Sequence, residues 1–538
     1  MTKVSWLKGR QITRKTPVTM CQTLSRRQLI GLLTGSALLP FQAAATSRSA
    51  YDSGSAIIEA NSIARTSTAA PIHYVSLLEM AQLIESKQIS PVELTQSILD
   101  RIDQLDGQLK SFATVMVDDA LKAARAAESQ IMAGGYRGPL HGIPIGVKDL
   151  CFTRGVRTMG GTRVLADHVP TYDATVVKRL NAAGAVLLGK QNLTEGAMGG
   201  YHPDFEVPVN PWDPRCWPGA SSSGSAVATA AGLSYVSLGS DTGGSIRFPA
   251  ASCGVVGLKP TYGRVSRYGV LALAESLDHV GTFGRRSADA GVALEAIAGF
   301  DFNDPSSLRV SVSNILDEIS QGIKGIRVGF DERYVSEGAM SDVTESVVAS
   351  VQLLSELGAE IVEVNLPDVA ELAPAWRTLC AAEAVAAHES NYPSRADEYG
   401  PYFREWLDIG AAVTGADYAK ANKVRREFNG RYDAVFSKAD VLVCPAMPCV
   451  ARPVTLAQQY GTIEGLSKTW PEGLHSSTYT FPADFSGRPT INLPSGFNED
   501  QLPYSLQFIG KHLDEALLCR IGHAYEEATD WHKRHPNL

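Results

Sequence analysis

The chain has 538 residues, with 49 Lys and Arg against 57 Asp and Glu, a net charge of -8, 44% hydrophobic and 20% charged residues. That balance excludes a disordered chain, a collagen and a polytopic membrane protein, and the length allows a large buried core in roughly two to four domains. The acidic excess argues against general nucleic-acid binding, which needs a basic face.

The charge is unevenly spread. Residues 1–45 hold seven basic residues (Lys3, Lys8, Arg10, Arg14, Lys15, Arg26 and Arg27) and no acid, so the remaining 493 residues carry -15. Ser25-Arg26-Arg27-Gln28 opens an apolar run from Leu29 to Leu39, followed by Pro40 and Ala43-Ala44-Ala45. A basic region, a moderate apolar stretch and a small-residue cleavage pattern make an export signal. The paired arginines resemble the bacterial twin-arginine type, so residues 1–45 are expected to direct the protein to the periplasm or outside the cell. Met20 is a second candidate start that keeps the Arg pair. The run is shorter than the roughly 20 apolar residues a bilayer span needs, and no later stretch supplies one, so no membrane insertion is expected after cleavage. Residues 46–72, rich in Ser, Ala and Thr, read as a flexible linker before a catalytic domain at 73–538.

Two helix openings come next. Ser76 stands three residues before Glu79, and Ser90-Pro91-Val92-Glu93 combines an N-cap Ser, a first-turn Pro and a Glu placed to complete a capping box. Leu94, Ile98, Ile102 and Leu105 then recur at helical spacing and predict a buried stripe. Beyond residue 140, β-rich runs alternate with Ala-rich helical stretches, at Ile143–Val147, Ala185–Leu188, Val255–Leu258, Ile326–Phe330, Val441–Val443 and Thr490–Leu493. This alternation predicts a layered α/β fold, and no internal repeat is apparent. Of the eight cysteines, seven follow the export segment, without a CxxC or CxxxH pairing, so neither a disulfide framework nor a zinc site is expected. Cys444 and Cys449 flank Pro-Ala-Met-Pro, which reads as a strand end and turn.

The chemistry concentrates in residues 218–258, PGASSSGSAVATAAGLSYVSLGSDTGGSIRFPAASCGVVGL, where positions 218–245 hold six glycines and eight serines. Phosphate-binding GxxxxGK[ST] and GxGxxG patterns are absent there, as are GxSxG and HExxH, so no cofactor is implied. None of the eleven histidines sits in a motif suggesting a Ser-His-Asp triad. Serine and lysine remain. Asp241-Thr242-Gly243-Gly244-Ser245 has the layout of a nucleophile behind its own oxyanion hole, because glycines let backbone N–H groups approach a substrate oxygen. Serine needs a base, and Lys148 follows the apolar strand of Gly142-Ile143-Pro144-Ile145-Gly146-Val147, where desolvation would favour the neutral amine. Taken singly, Lys148 reads as a solvated lysine and the serines as turn residues.

Three stretches, GIPIGVKD, PGASSSGSAVA and GSDTGGSIRFPAASCGVVGLKPTYGRVSRYGV, resemble the amidase signature enzymes. PADFSGRPTINLPSGF and the following LPYSLQFIG, within 482–510, are similar to that family's C-terminal strand block. The resemblance spans about residues 73–530. It implies a three-layer α/β/α fold with a large central mixed sheet covered by helices, and a Ser–cis-Ser–Lys triad. By position Ser245 would be the nucleophile, Ser221, following an Ala220-Ser221 cis peptide, the bridging serine, and Lys148 the base. The spacings of 73 and 24 residues agree with the family pattern. Backbone N–H groups of Thr242, Gly243, Gly244 and Ser245 would bind the oxyanion, Ser222 would support by hydrogen bonding, and Asp241 with Arg247 would orient the loop. The chain departs from the family at Ala220, where Gly is frequent, and around Ser223.

The expected activity is hydrolysis of a small-molecule amide, extending to esters or carbamates, without metal or cofactor; a homodimer is the assembly left open. The alternative is the glutamine-hydrolysing A subunit of a tRNA-dependent amidotransferase. Against it stand the export segment and the missing acidic, Met-Tyr-containing stretch before the C-terminal block. A third reading, an inactive scaffold, leaves the intact Lys148, Ser221 and Ser245 without a purpose. Tyr392, Tyr399, Tyr402 and Phe403, between Trp376 and Trp406, could wall an aryl or aliphatic substrate site or could equally be core aromatics of a peripheral helical insertion.

Overall fold

The computed structural model describes residues 70–475 and 477–538. The expected export signal (1–45) and nearly all of the expected linker lie outside the described residues, which begin just before a 3-10 turn at Ile72–Tyr74. No helix among the described residues is long and apolar enough to cross a membrane.

Eleven strands form one mixed sheet: β1 Phe112–Val115, β2 Pro144–Lys148, β3 Val186–Gln191, β4 Val236–Asp241, β5 Val256–Lys259, β6 His279–Gly284, β7 Arg327–Phe330, β8 Glu360–Glu363, β9 Val441–Pro445, β10 Thr490–Phe497 and β11 Pro503–Gly510. Their order is β1-β3-β2-β4-β6-β5-β10-β11-β9-β7-β8. Pairing is parallel for β2 with β3 and β4, and for β7 with β8 and β9; the other pairs are antiparallel. Each of the six runs expected from the sequence is a strand, within one to four residues at its ends. The alternation missed β1, β4, β6, β8 and β11, the last of which lies in the C-terminal strand block implied by the resemblance. Strands β4 (VSLGSD) and β6 (HVGTFG) are buried along their whole length, yet Gly, Ser and Thr dilute the apolar signal.

Helices cover the sheet on both faces, as period-two alternation along β10 shows. Asn492 Nδ2 donates to the carbonyl of Arg247 in the helix Arg247–Cys253 (3.0 Å), while the neighbouring Ile491 packs by Gly522 of the helix Glu515–Glu527. Between β3 and β4 runs the helix Ser223–Ala230, every residue of which is buried. Its small side chains allow that depth, and its hydroxyls are satisfied there: Ser223 accepts from Tyr201 (2.6 Å), Ser225 donates to the Leu238 carbonyl (2.8 Å) and Thr229 to the Ser225 carbonyl (2.8 Å).

Both expected helix openings form. Ser76 caps Leu77–Glu85, accepting from the Glu79 N–H (3.2 Å), and Ser90 caps Pro91–Leu109, accepting from Val92 N–H (3.0 Å) and Glu93 N–H (3.3 Å). Leu94, Ile98 and Ile102 are buried and Leu105 half-buried, as the spacing implies. The reciprocal half of the Ser90 box is absent. Ser90 Oγ instead donates to Glu128 on the neighbouring helix Val117–Met132, so this cap also joins two helices. Ser90→Ala therefore removes a cap and an interhelical bond. It should lower stability by about 1–2 kcal/mol, read as a lower urea midpoint with no change in activity of the folded protein.

Candidate active site

Parallel pairing sets β2 beside β4, with Val147 opposite Leu238, so both strands deliver their C-terminal ends to one edge of the sheet. Lys148 closes β2 and Asp241 closes β4. In sheets with parallel centres, that edge is where binding crevices form. Ser221 and Ser222 precede the buried helix Ser223–Ala230, and the Ala220-Ser221 peptide is cis, as the resemblance implied.

Lys148 is fully buried. Its Nζ lies 2.7 Å from Ser221 Oγ, 2.8 Å from Ser222 Oγ and 2.9 Å from Ser240 Oγ. Burial pulls the amine down to about 7, against weaker upward pulls from Cys151, Asp241 and Asp278. Lys190, equally buried one strand away, has Asp149 Oδ1 at 3.2 Å; the immediate polar partners of Lys148 are hydroxyls only. Ser222 Oγ donates to the Ser240 carbonyl (3.1 Å) and accepts the Ser240 N–H (3.2 Å). Its proton is thus committed, and toward Lys148 it can only accept. Ser240 was not singled out from the sequence, where nothing separates it from the other serines of the block.

The loop after β4 is held by charge. Asp241 accepts from the N–H groups of Gly244 (2.7 Å), Ile246 (2.9 Å) and Arg247 (3.3 Å), and forms a two-pronged pair with Arg247, Nε at 3.0 Å and Nη2 at 2.8 Å. Burial alone would raise the Asp241 carboxyl; the Arg247 guanidinium and these hydrogen bonds outweigh it and hold it well below the usual carboxylate range. Arg247 continues to Asp484 Oδ2 (2.6 Å) and the Thr480 carbonyl (2.7 Å). Thr242 Oγ1 donates to Asp278 (2.6 Å), Trp376 Nε1 to the Thr242 carbonyl (2.8 Å), and Thr480 Oγ1 to the Gly243 carbonyl (2.8 Å). Gly244 sits at φ +129°, where a Cβ would strike the Phe248 ring at 2.4 Å, so this position requires glycine. Asp241 and Arg247 are the pair anticipated from the sequence; Asp484, Thr480 and Asp278 come from distant segments and were missed.

Ser245 is half-buried, and its carbonyl accepts the Ser222 N–H at 3.2 Å. Ser245 Oγ has no protein hydrogen-bond partner among the described residues; the link to Ser221 expected from the resemblance is open in this structure. Of the four N–H groups expected to face an oxyanion, that of Gly244 is taken by Asp241. Thr242, Gly243 and Ser245 line the cleft, and their N–H groups meet no protein acceptor among the described residues. Three of the four N–H groups are therefore without a protein acceptor among the described residues, and one is taken.

The cleft, about 750 Å³ of empty space counted out into the solvent at its mouth, is walled by Trp217, Phe248, Trp376, Tyr402, Trp470 and Phe481. From the stretch 376–406, Trp376 and Tyr402 reach it. Tyr399 and Phe403 pack around His388 in the core, and Tyr392 donates to Asp408 (2.6 Å). Trp217, Phe248, Trp470 and Phe481 were not expected there. Among the described residues no group of three or more His, Cys, Asp or Glu could hold a metal, and the seven described cysteines are buried and unpaired. Because Arg247 lies between two buried carboxylates, Arg247→Met leaves both uncompensated. It should cost about 3–5 kcal/mol of stability, measured as a lowered denaturation midpoint.

The amidase family model matches residues 93–519. The "putative amidase AmiD" of Mycobacterium tuberculosis is 45% identical over 465 residues, covering 86% of this chain and 96% of that protein. The A subunit of the glutamyl-tRNA(Gln) amidotransferase of Cyanothece is 39% identical over 490 residues, covering 86% and 100%. Among solved structures, the peptide amidase of Stenotrophomonas maltophilia is similar at 31% identity and a TM-score of 0.74, covering 87% and 99%. With that model matched across most of its length, the chain belongs to the amidase signature family, enzymes that hydrolyse amide carbon–nitrogen bonds.

Proposed function

We propose that the protein hydrolyses a small-molecule amide through Ser245 as nucleophile, Ser221 as proton bridge and Lys148 as base, with ester and carbamate cleavage open to the same chemistry. The observation that carries this reading is the dry Lys148 Nζ, 2.7 Å from Ser221 Oγ and without a carboxylate among its immediate polar partners. A neutral amine has two N–H donors and one lone pair. Ser222 must take one N–H, since its own proton goes to the Ser240 carbonyl, and Ser240 Oγ can take the other. The lone pair is then left for the Ser221 hydroxyl.

Catalysis runs as a relay. Ser221 passes its proton to Lys148 and takes the Ser245 proton as Ser245 Oγ bonds to the substrate carbonyl carbon. The N–H groups of Thr242, Gly243 and Ser245 receive the oxyanion. When the C–N bond breaks, Ser221 returns a proton to the leaving nitrogen and is itself reprotonated by Lys148. Water then attacks the acyl carbon, giving its proton to the same relay, and the acid leaves as Ser245 regains its hydrogen. Ser222 positions the amine, and Asp241 with Arg247 positions the loop.

A second reading is favoured by the relatives that are amidotransferase A subunits, with 37–39% identity. Glutaminase assays with and without amidotransferase partner proteins separate the two; glutamine turnover that depends on those partners would favour the second. We further infer export through residues 1–45. An Arg26→Lys/Arg27→Lys variant should remain in the cytoplasm at full length, and unchanged export would remove that inference.

Ser245→Ala should lower amide hydrolysis by about 10³-fold or more and abolish fluorophosphonate labelling, the loss expected for a covalent nucleophile. Lys148→Ala and Ser221→Ala should each cost a similar factor. The double variant should be little worse than either single one, because members of one relay are not additive. Labelling that survives in Ser245→Ala would exclude Ser245 as nucleophile.

A further inference from the structure

Arg452 has no assigned part in the hydrolysis. It lies beyond β9, and its carbonyl accepts the Trp217 N–H at 2.8 Å, which fixes its backbone at the cleft wall. The guanidinium carbon stands 3.6 Å from the Trp470 ring centroid and 4.5 Å from that of Trp217, while Nε donates to Thr469 Oγ1 at 2.8 Å. The side chain is held by its flat faces and one edge. Its two Nη atoms are unmatched among the described residues: Nη1 is buried with no hydrogen-bond partner, and Nη2 forms no hydrogen bond.

Three other buried arginines use both Nη atoms, although Nε of Arg285 and of Arg488 is itself without a partner. Arg247 pairs with Asp241 and Asp484, Arg488 with Asp433 at 2.6 Å, and Arg285 donates to the carbonyls of Ser234 and Val75. Arg452 is 7% exposed and forms no ion pair among the described residues, yet it lines the same cleft as Ser245. Burying a cation and two unused donors beside aromatic rings costs free energy unless a ligand completes them. A planar fork of two N–H donors matches a carboxylate.

We infer that Arg452 is a specificity-determining residue that receives a carboxylate carried by the substrate at the end remote from the bond that is cut. The aromatic walls between would take an apolar spacer. This rests on the reading of the cleft around Ser245 as the site of hydrolysis, and it narrows the substrate class from amides in general to amides bearing a free acid.

The test is calorimetric binding of a phenylalkanoate series, phenylacetate to 5-phenylvalerate, against the matching phenylalkanols, which needs no turnover. In the wild-type protein at least one acid should bind about 10-fold or more tightly than its alcohol, as a charge-assisted pair in a dry site warrants. Arg452→Met should reduce that ratio to about 1, and Arg452→Lys should restore part of it, since ammonium keeps the charge without the fork. Circular dichroism and the thermal midpoint of each variant confirm that folded protein is compared. Equal affinity for acid and alcohol throughout the wild-type series, or a preference that persists in Arg452→Met, overturns the inference. Either result leaves Ser245 chemistry intact, whereas persistent labelling of Ser245→Ala would undo the hydrolytic reading without touching the binding ratio.

Discussion

An amine buried without a carboxylate partner is the constraint from which the proposed chemistry follows. In water the Lys148 side chain would be an ammonium and could not take a proton. At the end of β2, between β3 and β4 and under the helix Ser223–Ala230, it is surrounded by hydroxyls and apolar strand residues. Desolvation then favours the uncharged form. The contrast with Lys190 is instructive. Both lysines are fully buried and only one strand apart, but Lys190 has Asp149 within ion-pair distance. Of these two, one is paired and one is available as a base; a third fully buried lysine, Lys259, donates to the carbonyls of Pro260 (3.1 Å) and Arg488 (2.7 Å) and so lies in a separate polar setting.

The same edge of the sheet holds the opposite electrostatic solution. Asp241, Arg247 and Asp484 form a fully buried charge chain that joins the end of β4 to the helix Ser477–Ser486, far along the sequence. Such a chain gains little net stability over apolar packing, because desolvation offsets attraction. Its value lies in geometry. Asp241 takes three backbone N–H groups of the turn that carries Ser245, among them that of Gly244, while the neighbouring residues keep theirs free toward the cleft. One carboxylate therefore shapes the loop and takes three of its amides, leaving those of Thr242, Gly243 and Ser245 without a protein acceptor among the described residues.

Much of this was legible in the residues. Strands β9 and β3 announce themselves by the apolar runs Val441–Val443 and Ala185–Leu188, and the Ser90-Pro91 cap marks a helix start with its own chemistry. Lys148, Ser221 and Ser245 became readable only jointly, through spacing and motif context. What stayed hidden depends on contacts between distant segments. Nothing near Ser240 distinguishes it from the serines around it; its role comes from the parallel register of β2 and β4. Asp484 and Arg452 are ordinary letters until the sheet brings one to Arg247 and the other between two tryptophans. Glu93 gives its N–H to the Ser90 hydroxyl but its carboxylate does not return to the Ser90 backbone, and the hydroxyl's own proton goes to Glu128 on the next helix, a contact between segments that the local pattern does not show.

The neutral state of Lys148 can be measured where it matters, in the rate at which Ser245 is acylated as a function of pH. With a fluorophosphonate in excess, the second-order labelling rate of the wild-type protein should rise with pH through an apparent pKa near about 7, the value to which burial pulls the amine, and then level off. The sign follows from the amine losing its proton as pH increases. In Lys148→Ala the slow residual rate should lack that step. A wild-type rate that is flat from acid to alkaline pH, or a step that persists unchanged without Lys148, would contradict the account.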